Sequence, residues 1–190
     1  MIHRAKPQVT VCCGGGVDST ALIHYYLNMG FPVRGIHFYY GQPSYLGERK
    51  AIKAIAHFFQ IRIEDAKIHP AIRSKKDGEF PGRNARFVFS ALNFFDQATG
   101  IVALGIHANT RYYDCTPIFV DDLQMLLNGY YAGTVKLDAP FLDFTKQDIF
   151  AYCGKHQVPI DITFSCQRGV SEPCGVCSSC IDRRYYDASV

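Results

Sequence analysis

The sequence predicts an α/β domain in which a parallel sheet is covered by helices on both faces. Three observations carry that expectation. Short apolar runs alternate with longer segments of helical periodicity, glycines sit at the junctions, and the 190 residues are 48% hydrophobic and 19% charged. Strands that alternate with helices are joined by crossovers, which leave the strands parallel and cover both faces of the sheet. A chain of this size buries about 70% of its unfolded surface and needs no disulfide staples to fold.

The elements follow in order. Val9-Thr10-Val11-Cys12-Cys13 is short, apolar and β-branched, as a buried parallel strand would be. Gly14-Gly15-Gly16 breaks it, and residues 19–29 then carry Leu22, Ile23, Tyr26 and Leu27 at helical spacing up to a stop at Gly30. Residues 33–39 read as a second strand. Residues 45–59 read as a helix through Leu46, Ile52, Ile55, Ala56 and Phe59, and Ile61-Arg62-Ile63 as a short strand. Residues 69–82, rich in proline, glycine and charge, read as the most mobile loop. A helix is expected over 84–99, stopped by Gly100, then a strand over 101–106. Pro117 opens a helix that runs to Asn128 and ends at Gly129. A last strand is expected over 135–139. Thr145 then caps a helix over 146–156 in a Thr-x-x-Asp arrangement with Asp148. The division expected is an α/β body over 1–160 and a four-cysteine tail over 161–190 packed on it.

Composition removes several classes of function. The net charge of +3 is too mild to argue for nucleic acid. No apolar run approaches the ~18 residues of a membrane helix. The first seven residues, MIHRAKP, lack the apolar segment of a signal peptide. The eight cysteines then point to a reducing, cytoplasmic setting, where clustered thiols bind metal or do chemistry more often than they pair.

The glycine loop is the first candidate site. Cys13, Gly14, Gly15, Gly16, Val17, Asp18, Ser19 and Thr20 follow the first strand, where open α/β sheets bind ligands. Glycines let main-chain amides turn to an anion, and the following helix adds its unpaired N–H groups and positive dipole end. Ser19 and Thr20 offer hydroxyl donors. Neither Gly-x-x-x-x-Gly-Lys-Ser/Thr nor Gly-x-Gly-x-x-Gly is present, which sets aside the Walker-type and dinucleotide loops.

The second candidate is Cys166-x7-Cys174-x2-Cys177-x2-Cys180, four thiols within fifteen residues. Four thiolates close a tetrahedral Zn²⁺ site with no open position, so one structural zinc per chain is expected. An iron–sulfur cluster stays open as the alternative, since Cys-x2-Cys-x2-Cys also occurs in ferredoxin-type runs. Cys12, Cys13 and Cys153 read as small buried hydrophobes. Cys115 follows a strand end and faces the expected pocket. The seven histidines show no paired metal spacing, and most of them read as surface or satisfied core residues.

Gly-Gly-x-Asp-Ser after a first strand resembles the loop of the PP-loop ATP pyrophosphatases, a Rossmann-like fold of the adenine nucleotide alpha hydrolase type. Further stretches resemble the QueC family of 7-cyano-7-deazaguanine synthases. They are Tyr40-Gly41-Gln42, Pro81-Gly82-Arg83-Asn84, Tyr113-Asp114-Cys115, Pro140-Phe141-Leu142-Asp143-Phe144-Thr145-Lys146, and the cysteine run closing at Arg183. The resemblance implies a ligase that uses ATP with Mg²⁺ to adenylate 7-carboxy-7-deazaguanine. Ammonia then gives the amide and, after a second activation, the nitrile, with AMP and pyrophosphate released. It implies that residues 14–20 hold the pyrophosphate portion and that Asp18 is the metal-associated or nucleotide-positioning carboxylate. Arg83 and Lys146 become the cations for carboxylate or phosphate charge, and Tyr40 can stack on a purine-like ring. Both cations fall at expected helix starts, where a positive charge opposes the dipole without a ligand to serve. The resemblance also implies a zinc-containing homodimer.

Four positions depart from the family pattern. Gly14 stands for a serine, Pro43-Ser44 for an Arg-His pair, and Thr116 for an arginine. Those departures keep other readings alongside the first. The activated acid can pass to a different amine, including one on a protein; the chain can be a tRNA-modifying PP-loop enzyme using Cys115, a zinc-knuckle module, or a catalytically reduced partner subunit.

Overall fold

A computed structural model describes residues 6–69, 80–95, 99–107, 110 and 112–187. Five strands, β1 (Val9–Cys12), β2 (Val33–Tyr39), β3 (Ile63–Lys67), β4 (Gly100–Ala103) and β5 (Val135–Asp138), form one sheet in the order β3-β2-β1-β4-β5. Every pairing is parallel, with Val9 opposite both Val33 and Ile101. The chain lays down β1, β2 and β3 in one direction, then crosses back to place β4 on the other side of β1. That reversal leaves a crevice beyond the carboxyl ends of β1 and β4, where such sheets bind ligands.

Among the described residues the α-helices are α1 (Val17–Asn28), α2 (Tyr45–Phe59), α3 (Arg83–Leu92), α4 (Pro117–Tyr131), α5 (Lys146–His156) and α6 (Ser178–Asp187). Alternation along β1 sends Val9 and Val11 into a core with α1, α2 and α5, built on Leu22, Ile23, Ile55 and Ile149. Cys12 faces the other core, with α3 and α4 supplying Val88, Phe119, Leu123 and Leu127. The α/β class with helices on both faces is as the sequence predicts.

Two boundaries stand where a local signal closes them. Helix α5 runs over Lys146–His156 with a complete capping box: Thr145 Oγ1 accepts from Asp148 N at 3.2 Å and Asp148 Oδ2 accepts from Thr145 N at 2.8 Å. Gly30, at φ +73°, ends α1, with Phe31 N donating to Tyr26 O at 3.0 Å. Helix α1 itself starts at Val17 rather than residue 19, because Gly16 serves as its N-cap.

Other boundaries moved. Strand β3 is Ile63–Lys67 and not residues 61–63, since Gln60 in the left-handed region ends α2 and the chain must run on before it pairs with β2. Helix α3 ends at Leu92 and does not reach residue 99; Gly100 belongs to β4, where a Cβ would lie 2.7 Å from the Phe95 ring. Strand β4 ends at Ala103, so residues 104–106 belong to the crevice. Helix α4 passes through Gly129 to Tyr131 and stops at Ala132 and Gly133, both at positive φ. Most of the loop expected to be mobile, residues 70–79, lies outside the described residues.

Candidate active site

The crevice holds a cavity of about 560 Å³ lined by the glycine turn, the ends of β1, β2 and β4, and the cysteine tail. Gly15 needs its missing side chain twice over, for a φ of +77° and for the Glu48 carbonyl, which would lie 3.0 Å from a Cβ. Gly105, after β4, packs on the start of α1, where a Cβ would lie 3.2 Å from Ser19 N. Helix α1 therefore points an N-terminus without any side-chain cap at the cavity.

Of the eight loop residues proposed from sequence, five line the cavity: Cys13, Gly14, Gly16, Asp18 and Ser19. The other three shape the turn. Val17 is buried in the core, and Thr20, fully buried, donates its hydroxyl to Gly16 O at 2.9 Å. Ser19 Oγ also reaches Gly16 O, at 3.2 Å. Thr20 is thus not among the donors facing the cavity, because the first turn of α1 uses its hydroxyl. Cys13 contributes main chain, since burial pushes its thiol up to about 12.

Asp18, Lys146 and Arg83 all line this cavity. Lys146 Nζ donates to both Asp18 oxygens, at 2.6 and 2.8 Å, joining the first turns of α1 and α5. Arg83 is the first residue of α3, and its Nε is buried with no hydrogen-bond partner among the described residues. A buried guanidinium N–H without an acceptor at a helix N-terminus suits an anionic group. Next to it, Asn84 donates Nδ2 to Asp114 O at 2.9 Å and its N–H to Asp114 Oδ2 at 3.2 Å, tying α3 to the turn at Tyr113–Cys115. Cys115 lines the cavity too, but burial raises its thiol, so it is not poised as a thiolate.

The departures from the family pattern have structural uses. Thr116 caps α4, accepting from Phe119 N at 3.2 Å and donating to Tyr113 O at 2.7 Å. Ser44 donates to Glu48 Oε1 at 2.6 Å. At Gly14 a Cβ would meet nothing within 4 Å. Sequence reasoning missed His37, Gln42 and Glu48, which also line the cavity. His37 is buried, yet its Nε2 has no hydrogen bond among the described residues, so it is not one of the satisfied core histidines. It lies eleven positions before Glu48, and no local spacing ties a strand residue to a helix residue at that distance.

The thiol sulfurs of Cys166, Cys174, Cys177 and Cys180 lie within 4.8 Å of one another. Four thiolates about one Zn²⁺ stand about 3.8 Å apart, so a small closure accommodates the ion. Main-chain N–H groups already point at sulfur: Gly169 and Cys174 donate to Cys166 Sγ at 3.0 and 3.2 Å, and Cys177 to Cys174 Sγ at 3.4 Å. The N–H groups of Val176 and Cys177 lower the Cys174 thiol to about 6. This donor set fits a metal ion. The cluster is joined to the site, since Phe164 N donates to Gly15 O at 2.8 Å and Gly47 N to Val170 O at 2.8 Å. Helix α6, within which Cys180 lies, is fixed by Arg183, whose guanidinium donates to Ile160 O at 2.5 Å and to Thr163 Oγ1 at 2.6 Å. Among the described residues no helix is long and apolar enough to cross a membrane.

The sheet order, the uncapped α1 N-terminus and the glycine turn together define an α/β protein of the PP-loop class. Consistent with that fold, a Methanocaldococcus jannaschii protein described as a predicted subunit of tRNA methyltransferase superimposes with a TM-score of 0.52 at 14% identity, over 84% of this chain and 92% of that one. Residues 73–186 match the family described as queuosine biosynthesis protein QueC. The chain is 31% identical over 202 residues to the 7-cyano-7-deazaguanine synthase of Brucella canis, covering 92% of this chain and 86% of the relative. It is 36% identical over 108 residues to that of Prochlorococcus marinus subsp. pastoris, where the match spans 53% of this chain and about half (48%) of the relative. The chain belongs to the QueC family.

Proposed function

We propose that the chain is an ATP-dependent carbon–nitrogen ligase that adenylates 7-carboxy-7-deazaguanine and passes the acyl group to ammonia. The observation that carries this reading is the gathering, in one crevice, of an anion-binding turn, the Asp18–Lys146 pair and the unpartnered Arg83 Nε. A carboxylate does not react with ammonia at neutral pH because oxide is a poor leaving group. Attack of the acid's oxygen on the α-phosphorus expels pyrophosphate and leaves an acyl adenylate. Ammonia then attacks the acyl carbon and AMP leaves with the original oxygen. Repeating the activation on the amide oxygen, with loss of AMP and a proton, gives the nitrile.

Each residue has a place in that sequence. The main chain at 14–16 and the α1 N-terminus hold the pyrophosphate portion, and Ser19 adds a hydroxyl. Arg83 orients the acid by its carboxylate, and Lys146 meets charge at the α-phosphate. Asp18 would hold Mg²⁺, which would offset triphosphate charge, or position the nucleotide. The four cysteines hold a structural zinc that fixes the tail over residues 161–190 against the body, residues 1–160. A second reading keeps the activation step and changes the amine acceptor. It is favoured by Pro43-Ser44 and Thr116, which stand for an Arg-His pair and an arginine of the family pattern, Ser44 and Thr116 being engaged in internal hydrogen bonds. The test is incubation with Mg-ATP and the acid, with and without ammonium, and product analysis by mass spectrometry. AMP with the amide or nitrile is expected; absence of turnover with any deazaguanine acid would overturn the reading.

A further inference from the structure

The polar cluster at Glu48 is not used by the chemistry above. Glu48 lines the cavity with a side chain 14% exposed and, among the described residues, has no lysine or arginine partner. Glu48 Oε1 accepts from Ser44 Oγ at 2.6 Å and Oε2 from Gln42 Nε2 at 2.8 Å. The Gln42 amide cannot turn over, because its Oε1 accepts from Tyr40 N at 2.9 Å and its Nε2 donates also to Phe38 O at 2.8 Å. Behind the carboxylate, His37 Nε2 lies 3.8 Å from Oε2, too far for a hydrogen bond. The imidazole is fixed as well: Nδ1 stands 3.0 Å from Cys13 O, a group that only accepts, and the ring stacks on Tyr45 at 5.6 Å. A carbonyl partner puts a proton on Nδ1.

The result is a preorganised carboxylate with one protein donor on each oxygen. Each oxygen retains a lone pair. A carboxylate with a free lone pair on each oxygen matches two parallel N–H donors, as in an N–H beside an exocyclic amino group on a six-membered ring. A 2-aminopyrimidinone edge presents that pair; the 6-aminopurine edge of adenine presents the amino group beside a ring nitrogen that only accepts. Tyr40, also lining the cavity, offers an aromatic face near the same wall.

We propose that Glu48 is a specificity-determining residue that reads the N–H and amino edge of the heterocyclic acid. The assignment rests on the function proposed above. Ser44 and Gln42 are positioning residues that act through Glu48, and the Ser44 departure from the family pattern serves this carboxylate.

Calorimetry tests the assignment with four ligands: the acid, its analogue lacking the 2-amino group, ATP, and purine riboside triphosphate, which lacks the 6-amino group. The wild type should bind the 2-desamino acid roughly 10–100-fold more weakly than the full acid. Glu48→Gln should lose a similar factor on the full acid and then discriminate the two acids by less than about threefold. ATP and its 6-desamino analogue should be bound alike by both proteins. Ser44→Ala should weaken the acid severalfold while keeping the discrimination, which preserves the test if Glu48→Gln does not fold. Equal discrimination in wild type and Glu48→Gln, or undiminished affinity of that variant for the acid, overturns the assignment. Loss of 6-amino discrimination in Glu48→Gln also overturns it, by placing adenine on Glu48. Failure of the wild type to bind either acid would instead refute the proposed function, and this assignment with it.

Discussion

Replacing Lys146 with methionine separates a catalytic cation from a structural one. The Lys146 and Asp18 side chains are 21% and 27% exposed, so both stay partly hydrated. An exposed ion pair is worth ~0.2–1 kcal/mol, and this one, partly shielded, stands at or above the top of that range. Against it, a cation at the first position of α5 opposes the helix dipole by ~0.3–1 kcal/mol. Methionine keeps the aliphatic stem, so the net change in stability is within about 1 kcal/mol. For a domain of this size that moves Tm by about 2–4 °C. Loss of a charge-assisted contact to phosphate in the transition state costs ~1.5–3 kcal/mol, or roughly 10–150-fold in rate. The assay is AMP release at saturating ATP, run beside a thermal melt. A rate within threefold of wild type would refute a catalytic role, and a fall in Tm beyond about 8 °C would make the pair a structural clamp.

Three further substitutions probe the turn, the tail and a cap. Gly14→Ser places its Cβ in open space and puts back the hydroxyl that the family pattern has there; it should tighten ATP binding severalfold by calorimetry with Tm unchanged, and a clear loss of affinity would count against phosphate at this turn. Cys177→Ser should leave the cysteine cluster with three thiols, so elemental analysis should find less than one bound metal per chain, and tryptic digestion should cut the tail faster; full metal content would contradict a four-thiolate site. Thr116→Ala removes the α4 cap and should cost ~1 kcal/mol in urea denaturation while leaving the affinity for ATP unchanged; a large loss of ATP affinity would show that Thr116 has a role in the site.

The reach of the sequence differs from element to element for physical reasons. The capping box at Thr145 and Asp148 and the Gly30 stop are short-range signals, and both boundaries stand where the sequence places them. Strand β3 has the sequence Ile-Glu-Asp-Ala-Lys at a sheet edge, half-buried and mostly polar, so no apolar run marks it. Helix α6 is polar, and its apolar content gives no period to read. What holds it is Arg183 on Ile160 and Thr163 and the cysteine at Cys180 within it. The site divides along the same line. The glycine turn, the four cysteines and the mismatch of Arg83 and Lys146 with their helix starts are local patterns. The contact of His37 with Glu48 depends on how α2 lies against β2, which only tertiary packing sets.

The central claim is that this crevice joins an acid oxygen to the α-phosphorus of ATP. Oxygen-18 in the carboxylate of 7-carboxy-7-deazaguanine tests it most directly, with the products read by phosphorus NMR and mass spectrometry. The account predicts that one labelled oxygen appears in AMP and none in pyrophosphate. Unlabelled AMP, or label in orthophosphate beside ADP, would contradict it.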